Sequence, residues 1–143
     1  MPFENPSDDR LREILTEADT IAMVGASSNP ERPSHGVMRK LLSAGYRVIP
    51  VNPNETEVLG QKAYATLSEV PVKVDIVDVF RRAEATPPFA DEAVKIGAKV
   101  FWLQHGIANE EAAAKAQAGG LLVVMDRCIA VAHSLLRIPP KQR

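Results

Sequence analysis

The chain has 143 residues, 45% hydrophobic and 24% charged, an ordinary globular composition that predicts one domain over 1–143 and leaves little length for a second. A net charge of −1, from 17 basic and 18 acidic residues, excludes a generally basic surface for nucleic acid or an anionic membrane. One cysteine excludes an internal disulfide; no apolar run approaches the roughly 20 residues of a membrane helix, and Met1-Pro2-Phe3-Glu4-Asn5-Pro6 lacks a signal-peptide pattern, so the expectation is cytoplasmic.

Ser7 can cap a first helix that carries Asp8 and Asp9 in its first turn, where carboxylates favour the helix dipole. Leu11, Ile14, Leu15 and Ala18 share one face at helical spacing. Thr20-Ile21-Ala22-Met23-Val24 is apolar without alternation, as in a strand covered on both faces. A loop from Ala26 to Pro33 leads into a helix of about eleven residues, starting near Pro33 or Ser34 and stopped by Gly45. A second strand runs from Tyr46 to Val51 and closes at Asn52-Pro53, followed by a polar connection through Gly60 and Tyr64 with a short turn near Leu67.

Val74 to Phe80 is the third strand, and Thr86-Pro87-Pro88 opens its helix with Thr86 as cap. Lys99 to Leu103 is the fourth strand. Asn109 can cap an alanine-rich helix that ends at Gly119-Gly120. Leu121 to Met125 is the fifth strand, and a short helix covers Ile129 to Leu136. Strands alternating with helices predict an α/β fold: a Rossmann-like, doubly wound parallel sheet of five strands with helices on both faces. The expected strand order is 3-2-1-4-5. It puts a ligand at the carboxyl ends of the strands, at the switch point between the first and fourth.

The most telling segment there is Val24-Gly25-Ala26-Ser27-Ser28. Gly25 directly after a buried strand lets the backbone turn sharply and approach a ligand. Ala26, Ser27 and Ser28 are small, and the loop feeds a helix N-terminus whose free N–H groups favour a phosphate. Arg32, at that entrance, can add a bidentate contact. The pattern departs from Gly-x-Gly-x-x-Gly, because Ser27 stands where the second glycine would be. Asn52 also occupies the place of the carboxylate that would hold the ribose of a nicotinamide dinucleotide, so NAD(P) binding is a secondary reading. Phe80 can stack on a base, Arg81 and Arg82 can reach phosphates, and Gln104 or His105 can meet a ligand amide.

The three histidines, His35, His105 and His133, show no metal-ligand spacing, and no Ser–His–Asp arrangement can be assembled. Asp75 and Asp78 are three apart on a strand and point to opposite faces. Neither a catalytic group nor a metal is therefore expected. Cys128, beyond the fifth strand, is expected to be buried and inert, although a thiol there could face a ligand thiol.

Taken in order, Val24-Gly25-Ala26-Ser27, Asn29-Pro30, Arg32-Pro33-Ser34, Gly45 to Pro53, Gly60, Val74 to Arg81, Trp102-Leu103-Gln104 before Gly106, and Asp126-Arg127-Cys128 resemble a known family. It is the small stand-alone CoA-binding proteins with a Rossmann-like fold, and the match covers nearly the whole chain. The resemblance implies coenzyme A as ligand, its diphosphate over Gly25–Ser28 and its nucleotide between that loop and the second and third strand ends. It carries Gly25, Ala26, Ser27, Arg32, Ser34, Asn52, Pro53, Phe80, Arg81 and Gln104 into the site. The fold is similar to the CoA-binding domain of the succinyl-CoA synthetase α subunit. That enzyme adds a domain with a phosphorylated histidine, for which a chain ending at Arg143 has no room, and a basic residue after its second strand, where Asn52 and Pro53 stand here. The 3′-phosphate would then need Arg32 or Arg81. The expectation is a non-catalytic carrier, sensor or regulatory module for CoA or an acyl-CoA, with no nucleic acid and no membrane partner. The alternatives are an enzyme or ligase subunit acting on CoA thioesters with a separate partner chain, or an NAD(P)-binding protein.

Overall fold

The computed structural model describes residues 3–142; Met1, Pro2 and Arg143, which the expected domain includes, lie outside the described residues. The elements follow the expected alternation. Helix α1 (Asp8–Glu17) precedes strand β1 (Thr20–Val24); α2 (Pro33–Ser43) leads to β2 (Arg47–Val51). A short hairpin of β3 (Glu57–Val58) and β4 (Gln61–Lys62) comes next, then β5 (Ile76–Val79) and α3 (Pro87–Lys95). The chain continues through β6 (Val100–Leu103), α4 (Glu110–Ala118), β7 (Leu122–Val124) and α5 (Ile129–Leu135). No helix among the described residues is long and apolar enough to cross a membrane.

Local chemistry sets the boundaries. The Ser7 side chain accepts from the Arg10 N–H at 3.2 Å, and Asn109 accepts from the Ala112 N–H at 2.9 Å, each capping its helix as expected. Thr86 does not cap α3. Its hydroxyl instead donates to the Ala83 carbonyl at 2.7 Å, because the residue already sits in helical conformation at the end of a preceding turn.

All five residues of β1 are buried, since β1 is paired in parallel with β2 on one side and β5 on the other. Alternation along the central strands separates two cores. Ile21, Met23, Ile76 and Trp102 pack with Leu11, Leu15, Met38, Leu41 and Ile129 of α1, α2 and α5. Ala22, Val24, Val77, Val79, Phe101 and Leu103 pack with the alanines of α3 and α4. Each fully buried leucine such as Leu11 or Leu15 contributes about 1.5–3 kcal/mol of transfer free energy.

The sheet order is β2-β1-β5-β6-β7, which differs from the expected order. In the expected numbering of five strands it reads 2-1-3-4-5: the third strand lies against the first and not outside the second. The cause is the connection after β2. Its Tyr64 exchanges hydrogen bonds with that strand's outer edge, the Tyr64 N–H donating to Pro50 at 3.0 Å and the Asn52 N–H to Tyr64 at 2.8 Å. With that edge taken, β5 pairs on the far side of β1. The switch point therefore falls between β1 and β5, still beside the loop that follows β1.

Candidate functional site

Four residues connect β1 to the rest of the switch point. The Gly25 N–H donates to Val51 at 2.9 Å, and the Phe80 N–H donates to Val24 at 2.8 Å. Gly25 has φ of +87°, and a Cβ there would run into the carbonyl oxygen of Phe80. Glycine is thus required twice over, by conformation and by the approach of the chain leaving β5.

The loops after β1, β2, β5, β6 and β7 enclose a cleft of about 800 Å³, within the range of small-molecule sites. Eight of the expected site residues line it: Gly25, Ser27, Arg32, Ser34, Asn52, Phe80, Arg81 and Gln104. The other three stand outside the lining. Ala26 is fully buried in the core, Pro53 faces solvent, and Ser28 is exposed at the cleft's edge, bonded to the cleft-lining Glu55.

Several of these side chains have structural duties that decide what they can offer a ligand. Asn52 is buried; its amide donates to the Ala26 carbonyl at 2.9 Å while its oxygen accepts from the Asn54 N–H at 2.9 Å. It ties the loop after β2 to the loop after β1. The Gln104 oxygen accepts from the Ile129 N–H at 3.1 Å, capping α5 from the loop after β6, a bond that does not use its NH2. Ser27 accepts from the Asn29 N–H at 3.0 Å, folding the loop before α2.

The N-terminus of α2 opens at the cleft. Its Ncap Arg32 makes no side-chain cap, Pro33 occupies the first helical position, and the first turn contains no acid. By contrast, α1 and α4 are capped by side chains and carry two carboxylates each in their first turns. Around the α2 terminus stand Arg32, exposed, and Arg81, half-buried, neither held in an ion pair among the described residues. Arg82 also lines the cleft but points outward, 3.7 Å from Glu84. Pro33 has no N–H and the His35 N–H donates to the Arg32 carbonyl at 3.0 Å, so the helix dipole and the guanidinium groups are what favour an anion there.

Cys128 is half-buried and lines the cleft at the head of α5, so the expectation of a buried thiol is corrected. The reason lies in the segment after β7. Trp102 donates its indole N–H to the Arg127 carbonyl at 2.7 Å, holding 127–128 at the sheet edge. His105 lines the rim, its Nδ1 3.6 Å from an Asp126 oxygen that also accepts from the Gly106 N–H at 2.6 Å. The other histidines are elsewhere. His35 is buried in α2, and His133 packs edge-on against Tyr46, its pKa lowered by burial and by Lys40 and Lys141. Among the described residues no group of three or more His, Cys, Asp or Glu side chains is placed to hold a metal ion.

Glu55 was missed by the sequence reasoning. It lines the cleft, and its Oε2 accepts from the Ser28 N–H at 2.8 Å and the Ser28 hydroxyl at 3.0 Å. The only available signal was a carboxylate four residues beyond a strand end, inside a polar connection with no periodicity.

A family model described as a CoA binding domain matches residues 19–134. The chain is 46% identical over 135 residues to the uncharacterized protein YneT of Bacillus subtilis, spanning 94% of this chain and all of that one. A solved structure of a hypothetical protein from Pyrococcus horikoshii superimposes with a TM-score of 0.90 at 42% identity, covering 96% of this chain and 99% of that one. The α subunit of ADP-forming acetate–CoA ligase I from Pyrococcus furiosus is 31% identical over 94 residues, 62% of this chain but a fifth (20%) of that subunit. The switch-point cleft, the matched span and these likenesses together place the chain in the CoA binding domain family.

Proposed function

We propose that the cleft binds coenzyme A or an acyl-CoA, and that the protein acts as a non-catalytic carrier, sensor or regulatory module. The observation that carries this reading is the uncapped, acid-free N-terminus of α2 opening at the switch point beside Arg32 and Arg81. Those groups would hold the phosphates. Phe80 offers an apolar face for the base, and the Gln104 NH2 offers a donor for a pantetheine amide carbonyl. Cys128 is the one thiol of the chain, and this reading assigns it no role in holding the ligand.

A second reading is favoured by the likeness to the ligase α subunit, which the chain matches over a fifth (20%) of that subunit's length. On it, the domain serves a CoA-thioester ligase whose other parts belong to a partner chain. The two readings separate by turnover. A carrier or sensor leaves acyl-CoA unchanged, whereas a ligase component, given its partner, ADP and phosphate, converts acyl-CoA to free acid and CoA while ADP is phosphorylated to ATP. The binding claim is tested by denaturing the purified protein and identifying released small molecules by mass spectrometry. CoA or an acyl-CoA is expected; release of a nicotinamide dinucleotide instead would overturn the reading.

A further inference from the structure

Among the described residues, Glu55 is the single carboxylate lining a cleft that otherwise presents Arg32, Arg81, Arg82 and the N-terminus of α2. Its oxygen takes both donors of Ser28, the backbone N–H at 2.8 Å and the hydroxyl at 3.0 Å. These are donors of the kind a phosphate accepts when it settles on a strand-to-helix loop. We propose that Glu55 is an internal anion that occupies the Ser28 donors and competes with the phosphates of an incoming ligand, so that its release is part of binding. The proposal rests on the CoA reading of the cleft for its ligand, though not for its electrostatics.

The construction of the loop says which contact gives way. Two side chains from the segment after β2 tie it to the loop after β1. Asn52 is buried and neutral, with both ends of its amide engaged. Breaking it would strand buried polar groups, which is costly. Glu55 is half-exposed and can exchange Ser28 for water. A phosphate reaching over Gly25 and Ser27 would bring like charges together in a partly desolvated cleft, a repulsion that the movement of Glu55 relieves. Asn52 thus acts as the fixed strut and Glu55 as the releasable latch. The same latch sets selectivity: it penalises ligands in proportion to the negative charge they place near Ser28.

The test compares wild type with Glu55→Ala and Glu55→Gln, using calorimetric titration of CoA and, as a probe independent of ligand identity, inorganic pyrophosphate. Glu110→Gln makes the same charge change on α4, away from the cleft, and controls for net charge. Removing the competitor should tighten both ligands roughly tenfold for Glu55→Ala, the factor set by one net charge-assisted hydrogen bond. Glu55→Gln, neutral but still able to accept from Ser28, should fall between. Unchanged or weaker binding of both ligands by both variants would overturn the proposal, because the carboxylate would then be shaping the loop for the ligand. If wild type fails to bind CoA while Glu55→Ala gains affinity for pyrophosphate, the CoA reading fails and the latch stands.

Discussion

At the scale of single residues, the site depends on positions where one side chain, or its absence, fixes two loops at once. Gly25 is the clearest. Its positive φ and the Phe80 carbonyl beside it leave no room for a methyl group, so Gly25→Ala must shift the end of β5 or distort the turn. A loss of about 2–4 kcal/mol is expected, from left-handed strain of about 1–3 kcal/mol with the clash added. Urea unfolding would measure it, and a variant within half a kcal/mol of wild type would show that the turn tolerates a side chain. Gly25 could be read from sequence because a glycine after an unbroken apolar strand carries its own explanation. Asn52 stands in the sequence as a replaced carboxylate and, through the family resemblance, as a ligand contact, but not as a tie between loops. Its bonds to Ala26 and Asn54 join segments far apart in the chain, which no local pattern records. Glu55 lay in a polar connection where every residue looks solvated, and only the folded loop brings it to Ser28.

At the scale of elements, the strands and helices were legible because burial on both faces writes apolar runs and helical faces write a 3.6-residue period. The neighbours of β5 were not, since sheet order here turns on Tyr64 bridging the outer edge of β2, a long-range bond from a segment without periodicity. β5 also carries the most unusual charge-bearing group of the fold. Asp78 is fully buried between Met23 of β1 and Trp102 of β6, and neither carboxyl oxygen has a hydrogen-bond partner among the described residues. Burial pushes its pKa well above the usual carboxylate range. The native state therefore holds a proton that the unfolded chain releases near pH 4, the ordinary aspartate value. Above that value the native state binds more protons than the unfolded one, so this group makes stability fall as pH rises, until Asp78 ionises in the folded protein. Within that window the slope from one proton is about 1.4 kcal/mol per pH unit. Asp78→Asn should remove this contribution, and denaturant unfolding from pH 4 to 7 would show a flatter profile than wild type. An identical slope in both proteins would mean that Asp78 is already ionised in the native state.

At the scale of the whole molecule, one parallel sheet brings five loops to one edge, and the cleft there gathers most of its cations around a single helix N-terminus. The chain as a whole carries a net charge of −1, so anion recognition needs a local cluster of donors and cations such as this edge supplies. The sequence located that edge even with the strand order wrong, because both orders reverse direction beside β1. Family membership tells which ligand class to try, and the geometry tells which residues should matter. Calorimetric titration of CoA into wild type and Arg32→Ala tests the central claim most directly. Wild type should bind one CoA per chain at low-micromolar strength or better, and Arg32→Ala should weaken it about tenfold or more, as expected for loss of a guanidinium–phosphate contact. No measurable binding of CoA or acyl-CoA to the wild-type protein, or equal affinity in the two proteins, would contradict the account.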